Sequence, residues 1–164
     1  MQTLMPYAEK VAALLKARNE TVAVAESSSG GLISAALLAV PGASAYFAGG
    51  AVLYTRNALI KLMNTSEERI KGPQPGSGEN ALLRARLVRE QLSATWAVSE
   101  AGVAGPTGSR YGHAPGHSAI AVSGPSEQAK TIETGSADRM ENMLAFSQAA
   151  LELLAATIEK GRRS

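Results

Sequence analysis

Three consecutive serines followed by two glycines are the part of this chain best suited to chemistry. Ser27, Ser28 and Ser29 follow a short apolar run that predicts a buried strand, and Gly30 and Gly31 open the next predicted helix. Such a junction points backbone N–H groups and the positive end of a helix dipole at the turn. Each hydroxyl is a candidate nucleophile or anion ligand. The alternative is that the serines only cap the helix.

The composition limits the classes of function. With 164 residues, 45% of them hydrophobic, and a net charge of +2, the chain is long enough for one domain with a substantial core and too balanced in charge for a nucleic-acid surface. It has no cysteine and two histidines, so we exclude thiolate catalysis and expect no metal site. It shows neither a membrane-length apolar run nor a secretory signal, so we expect a cytoplasmic protein without a membrane or nucleic-acid partner.

The spacing of apolar residues predicts a single domain over residues 1–164, a three-layer α/β/α sandwich with a mixed sheet. A capping box at 65–68 is expected to begin a short helix, and Ser136 is expected to cap the last one. Glycine-rich loops are predicted at 72–78 and 102–116. The predicted helices span 6–18, 30–40, 57–63, 80–92 and 137–160, and the predicted strands span 21–25, 49–55, 95–98, 116–122 and 129–134.

Three segments together resemble one known family. They are AESSSGG at 25–31, PGASAYFAGGAVLY at 41–54 and GVAGPTG at 102–108. They are similar to motifs of the C-terminal domain of the CinA family (competence/damage-inducible protein A), whose members include nicotinamide mononucleotide deamidases. The match runs without gaps from about residue 21 to residue 108 and resumes in the last helix.

The resemblance implies an activity and a partner. The domain is expected to be a stand-alone version that hydrolyses the carboxamide of nicotinamide mononucleotide, releasing ammonia and leaving nicotinic acid mononucleotide. A mononucleotide is then the small-molecule partner, and no cofactor is expected. Several apolar helix faces favour a homo-oligomer.

The resemblance also assigns roles at the serines. Ser27 matches the family's nucleophile, and the amides of Ser28, Ser29, Gly30 and Gly31 are expected to stabilise the oxyanion that forms on the attacked carbonyl. Glu26 either orients the serine and caps a neighbouring N–H group, or is an ordinary carboxylate at the surface.

Other predicted binding groups follow later in the chain. Tyr54 matches a family tyrosine near the serine, where it would orient a group or relay a proton, and the alternative is a core residue with its hydroxyl at the rim. The loop residues Gly105, Thr107 and Gly108 are the expected phosphate site.

The chain departs from the family pattern at the general base. The family lysine is Leu59 here, which cannot accept a proton. Lys61 is a poor substitute, because two residues of displacement rotate a side chain by about 200° around a helix. Arg56 stays protonated, but it can bind a phosphate or carboxylate through two hydrogen bonds.

Further departures leave the activity open. A family threonine is Ala101 and a family arginine is Met143. Arg139 is retained at the start of a helix, where we expect a ligand or carboxylate partner, or else an ordinary exposed arginine. His113 and His117 are either a replacement base or solvent-exposed bystanders. The alternative function is therefore a catalytically impaired relative that serves as a nucleotide-binding or protein-interaction module.

Overall fold

A five-stranded mixed sheet forms the centre of the protein, whose computed structural model describes residues 1–161. The strands are β1 (Val22–Glu26), β2 (Phe47–Val52), β3 (Trp96–Gly102), β4 (His117–Ser123) and β5 (Gln128–Glu133). Their order is β2-β1-β3-β4-β5, with β1 parallel to β2 and β3 and with β4 antiparallel to β3 and β5. Every residue of β1 is buried, as is typical of a central strand covered on both faces.

Helices cover both faces of this sheet. Three of them, α1 (Met5–Arg18), α2 (Leu32–Ala39) and the last helix, α6 (Arg139–Lys160), share one hydrophobic core with the sheet. The other face is covered by α5 (Gly78–Leu92), beside the short helices α3 (Arg56–Leu62) and α4 (Glu67–Ile70). Single 3-10 turns occur at Gln2–Leu4 and Ala43–Ala45. The predicted three-layer α/β/α sandwich is confirmed.

Three local predictions differ from the structure in the hydrogen bonds that the side chains make. Strand β3 runs on to Gly102, since the polar Ser99 and Glu100 near its end are fully buried and hydrogen-bonded. The last helix is capped by Asp138, which accepts from the Glu141 amide at 2.9 Å, and not by Ser136. No capping box forms at the start of α4, where Ser66 makes no side-chain cap bond.

The connections create a crevice at one edge of the sheet. The chain passes from β1 to β2 through α2 on one face, and from β2 to β3 through α5 on the other. Ligands of open α/β sheets bind where neighbouring crossovers diverge in this way, outside the carboxyl ends of the strands. In this chain that point is the gap beyond Glu26 and Gly102, where β1 and β3 end.

The opposite edge of the sheet is closed. The chain's single tryptophan, Trp96, begins β3 there and is fully buried. Its indole N–H donates to Glu20 Oε2 at 2.7 Å, so the polar atom is satisfied inside the core. Within residues 1–161, none of the helices combines the length and the hydropathy that a membrane span needs.

Candidate active site

The Glu26 carboxylate binds the turn between β1 and α2, residues 27–31, together with the first amides of α2. This carboxylate is 1% exposed and accepts four hydrogen bonds: from the Ser29 hydroxyl at 2.8 Å and from the amides of Gly31, Ile33 and Ser34 at 3.2, 2.9 and 2.9 Å. A negative charge at a helix N-terminus is favourable, since it meets amides that have no partner within the helix. Glu26 therefore caps the turn and is not a surface carboxylate.

A second buried carboxylate, Glu100, holds the same turn from β3. Its Oε2 accepts from the amides of Ser27 and Ser29 at 3.1 and 2.9 Å, and its Oε1 accepts from the Ser28 hydroxyl. Glu100 is fully buried, so these bonds take the place of its hydration. The sequence analysis did not identify this residue. No local pattern marks this residue, because the polar Ser99 precedes it and the predicted strand ends at residue 98.

The two carboxylates leave one of the three serine hydroxyls free. Ser28 and Ser29 donate to Glu100 and Glu26, whereas the Ser27 hydroxyl has no hydrogen-bond partner among the described residues and borders a cavity. Gly30 and Gly31 shape the turn with φ values of +65° and +100°, which favour glycine. Ser27 thus has the free hydroxyl that a nucleophile needs.

The predicted set of oxyanion donors is wrong for three of its four residues. The Ser29 amide is bound by Glu100, the Gly31 amide by Glu26, and the Gly30 amide donates to Ser27 O at 3.1 Å. Within the described part of the chain, only the Ser28 amide of this group has no protein acceptor. The turn offers one free backbone donor beside the Ser27 hydroxyl.

The cavity at the Ser27 turn has a volume of about 440 Å³ and lies beyond the ends of β1 and β3. Its walls include three arginines, Arg56, Arg84 and Arg110, and among the described residues they contain no aspartate, glutamate or lysine. In the same part of the chain, no cluster of three or more histidine or acidic side chains is placed to hold a metal ion. The size is within the usual range for small-molecule pockets, and the charge suits an anion.

Arg84 is the innermost of these cations and was also missed by the sequence analysis. It reaches across from α5, donating to Asn80 Oδ1 and to Leu53 O, both at 3.1 Å. Burial lowers the pKa of the Arg84 guanidinium, while the negative charge of Glu100 opposes that shift. Its position in the helix gave no signal, because arginines at 84, 86 and 89 look alike in the sequence.

Two predicted site residues, Tyr54 with an orienting or proton-relaying role and Arg56 with an anion-binding role, line the cavity but have other contacts. Tyr54 is 59% exposed, so it is not a core residue, and its hydroxyl is 3.4 Å from Arg139 Nη2. The guanidinium of Arg56 holds Glu67 through Nε and Nη2, which occupies the edge predicted to bind an anion. Leu59 forms part of the apolar wall, while Lys61 is exposed and outside the lining.

The predicted phosphate site is not at this cavity. Gly105, Thr107 and Gly108 are absent from its lining, and Thr107 and Gly108 are exposed. Arg139 is outside the lining as well, and its Nη1 donates to Gly105 O at 2.5 Å, so the expected carboxylate partner is wrong. The part of the loop 102–116 that follows Gly108 does line the cavity, and Arg110 is one of its lining residues.

His113 and His117 form a stacked pair at the cavity wall, with ring centroids 3.9 Å apart and planes inclined by 4°. Both ring nitrogens of His117 contact oxygens, Gly76 O at 2.7 Å and the Glu133 carboxylate. His113 Nε2 is 3.3 Å from Pro75 O, which leaves Nδ1 unbound. His117 is buried and both of its ring nitrogens have partners, so of the two histidines only His113 has a ring nitrogen free to act as a base.

The family model for the CinA C-terminal domain matches residues 4–158, which is nearly the whole chain. The chain belongs to the CinA C-terminal domain family. It is 38% identical to a CinA-like protein of Chloroherpeton thalassium over 157 residues, which are 93% of this chain and 37% of that relative. It is also 38% identical to a CinA-like protein of a Sulfurihydrogenibium species over 146 residues, which are 89% of this chain and 36% of that relative. The chain thus spans little more than a third of the length of these curated relatives.

Solved structures of the CinA superfamily share the fold. A CinA superfamily protein from Klebsiella pneumoniae superposes with a TM-score of 0.87 at 21% identity, covering 95% of this chain and 98% of that one. A competence/damage-inducible protein from Agrobacterium tumefaciens gives 0.85 at 28% identity, covering 94% of each chain. The resemblance inferred from three sequence motifs is confirmed at the level of family and fold.

Proposed function

We propose that this CinA domain binds a mononucleotide, or a closely related anionic small molecule, in the cavity beside Ser27. The observation that carries the proposal is the charge of the walls of this cavity of about 440 Å³: the lining contains Arg84 and Arg110 without a carboxylate partner, and Arg56 paired with Glu67, and among the described residues it contains no acidic side chain. Anions bind best where the surrounding charges are positive and partly withdrawn from water.

The mouth of the cavity suits the aromatic part of such a ligand. Tyr54 and Tyr111 line it with rings that are 59% and 56% exposed. An exposed aromatic face in a binding pocket offers a stacking surface for a flat heterocycle. Arg110 lies over the Tyr111 ring at 5.6 Å, which places a cation next to that surface.

Isothermal titration calorimetry with nicotinamide mononucleotide tests binding. We expect saturable binding at one site, weakened about tenfold in Arg110→Gln because one charge-assisted contact is lost. Arg69→Gln is the matched control, since Arg69 pairs with Glu90 on the surface away from the cavity. Absence of binding in the native protein, or equal weakening by both variants, would contradict the proposal.

Amide hydrolysis with Ser27 as nucleophile is the second candidate function. The free Ser27 hydroxyl favours it, as does the unbound Ser28 amide, which would meet the oxyanion. In this reaction Ser27 Oγ bonds to the carboxamide carbon, its proton passes to a base and then to the leaving ammonia, and water releases the acid. The evidence for a general base is the weakest part of this candidate function, because Leu59 occupies the family lysine position and His113 has only one unbound ring nitrogen.

Ammonia release from nicotinamide mononucleotide measures this second function. Loss of a general base costs about 10² to 10⁴ in rate, so we expect slow or undetectable turnover in the native protein. Leu59→Lys is expected to raise the rate at least tenfold, and Ser27→Ala to abolish it in both backgrounds while preserving binding. Turnover that survives Ser27→Ala would rule out Ser27 as the nucleophile.

A further inference from the structure

Arg84 is held in the cavity wall by neutral groups only. Its Nε and Nη1 each donate one hydrogen bond, to Asn80 Oδ1 and Leu53 O. A guanidinium has five N–H donors, so about three remain for a ligand. Because its protein partners anchor Nε and Nη1, the guanidinium plane is fixed while the Nη2 edge stays unbound.

Arg84 differs in this respect from the surface arginines of the same molecule. Arg56, Arg69 and Arg86 each pair with a glutamate, and each of these arginine side chains is more than half exposed. Among residues 1–161, Arg84 forms no salt bridge although it is partly buried. Glu100 attracts it at a distance, but that carboxylate is occupied by the serine turn. A partly desolvated cation without a direct counter-ion is a favourable partner for an anionic ligand.

The guanidinium also lies beside the Ser27 turn. Arg84 Nη1 binds the carbonyl of Leu53, whose own amide donates to Glu26 O at 2.6 Å. Glu26 is the last residue of β1, and Ser27 follows it directly. Ser27 and Arg84 also line the same cavity, so one ligand can contact both side chains.

We propose that Arg84 and Ser27 form a carboxylate subsite, so that the cavity prefers a mononucleotide whose base carries a carboxylate over the matching carboxamide. This inference rests on the mononucleotide binding proposed above. A carboxylate can accept from the guanidinium edge and from the Ser27 hydroxyl at the same time, because both of its oxygens are acceptors. A carboxamide has one acceptor oxygen where the carboxylate has two, and it carries no charge, so its contact with the guanidinium edge is weaker.

Calorimetric titration with two matched pairs tests the subsite: nicotinic acid mononucleotide against nicotinamide mononucleotide, and free nicotinate against nicotinamide. We expect the native protein to bind each acid at least tenfold more tightly than its amide. Arg84→Met should remove this preference, and Arg84→Lys should retain part of it, since it keeps the charge but loses the planar fork. Arg110→Met, which alters the mouth, should weaken both nucleotides and leave the preference in place.

The outcomes separate the subsite from the proposed function. Equal affinity for acid and amide in the native protein would overturn the inference, as would an Arg84→Met variant that weakens both by the same factor. If neither mononucleotide binds, the proposed function fails. The affinities for free nicotinate and nicotinamide then test the subsite alone. Tighter binding of nicotinate that is lost in Arg84→Met supports the subsite, and any other result overturns it. Thermal unfolding of each variant shows whether the fold is intact.

Discussion

Two glycine-rich segments of this CinA domain look alike in sequence and behave differently in the structure. The turn at 27–31 is held by two buried carboxylates and presents a free hydroxyl to the cavity. The segment at 105–108 is absent from the lining of that cavity, and Thr107 is exposed. A glycine pattern predicts a turn, but the charged side chains that reach the turn from elsewhere in the chain decide whether it becomes a site.

Removal of Glu100 is the strongest test of this difference. Glu100→Ala leaves two backbone amides and the Ser28 hydroxyl without acceptors in the interior. We expect the free energy of unfolding to fall by roughly 3–5 kcal/mol, measured by urea denaturation. Glu90→Ala, which breaks an exposed pair with Arg69, is the control and should cost under about 1 kcal/mol. Similar losses in the two variants would mean that buried anchoring is not what distinguishes the turn.

A milder change at Glu26 tests the other anchor. Glu26→Gln keeps one acceptor oxygen and turns an N–H₂ group toward an amide at the start of α2. We expect a loss of about 2 kcal/mol in unfolding free energy, together with weaker ligand binding, because the position of Ser27 depends on this cap. An unchanged melting temperature would show that the helix N-terminus needs no carboxylate here.

His117 tests the anchoring of a third glycine-rich segment, the loop 72–78, whose Pro75 and Gly76 line the cavity. His117→Ala removes the contact with Gly76 O and the pairing with Glu133. We expect a loss of about 1–2 kcal/mol and faster hydrogen exchange in the loop 72–78, since that loop loses a buried partner. His113→Ala should have a smaller effect, because its contact with Pro75 O is longer, at 3.3 Å. The reverse order of the two variants would contradict this account.

Thr107 provides the smallest expected effect. Thr107→Ala should change the unfolding free energy by no more than about 0.5 kcal/mol and leave the dissociation constant for nicotinamide mononucleotide unchanged, because the side chain is exposed and outside the cavity. A tenfold weakening in calorimetry would restore the phosphate role first predicted for this segment.

The sequence was sufficient for the architecture because the relevant signals are local. The apolar run before Ser27, the breaker at 72–78 and the amphipathic last helix each predict one element, and their order predicts the sandwich. The main error in the strands was at β3, which was predicted to stop before Ser99. Polar residues at 99 and 100 look like a strand end unless their distant partners are known.

The site was harder to predict because its decisive contacts join residues that are far apart in the chain. Ser27 and the family resemblance were found from motifs. The Glu100 contact crosses 73 residues, and the Arg84 contact with Leu53 crosses 31, and neither contact has a local pattern. The same limit explains the oxyanion prediction, since only the structure shows which amides are already bound.

The position of Trp96 has a practical consequence for optical work on this domain. The indole lies at the amino end of β3, whereas the cavity lies beyond its carboxyl end at Gly102. Six residue steps of about 3.3 Å place the Trp96 backbone roughly 20 Å from the Gly102 end of the strand. We therefore expect the intrinsic tryptophan emission to change when the core unfolds and to stay constant when a ligand fills the cavity. One sample can thus report unfolding by its emission while a separate signal follows the ligand.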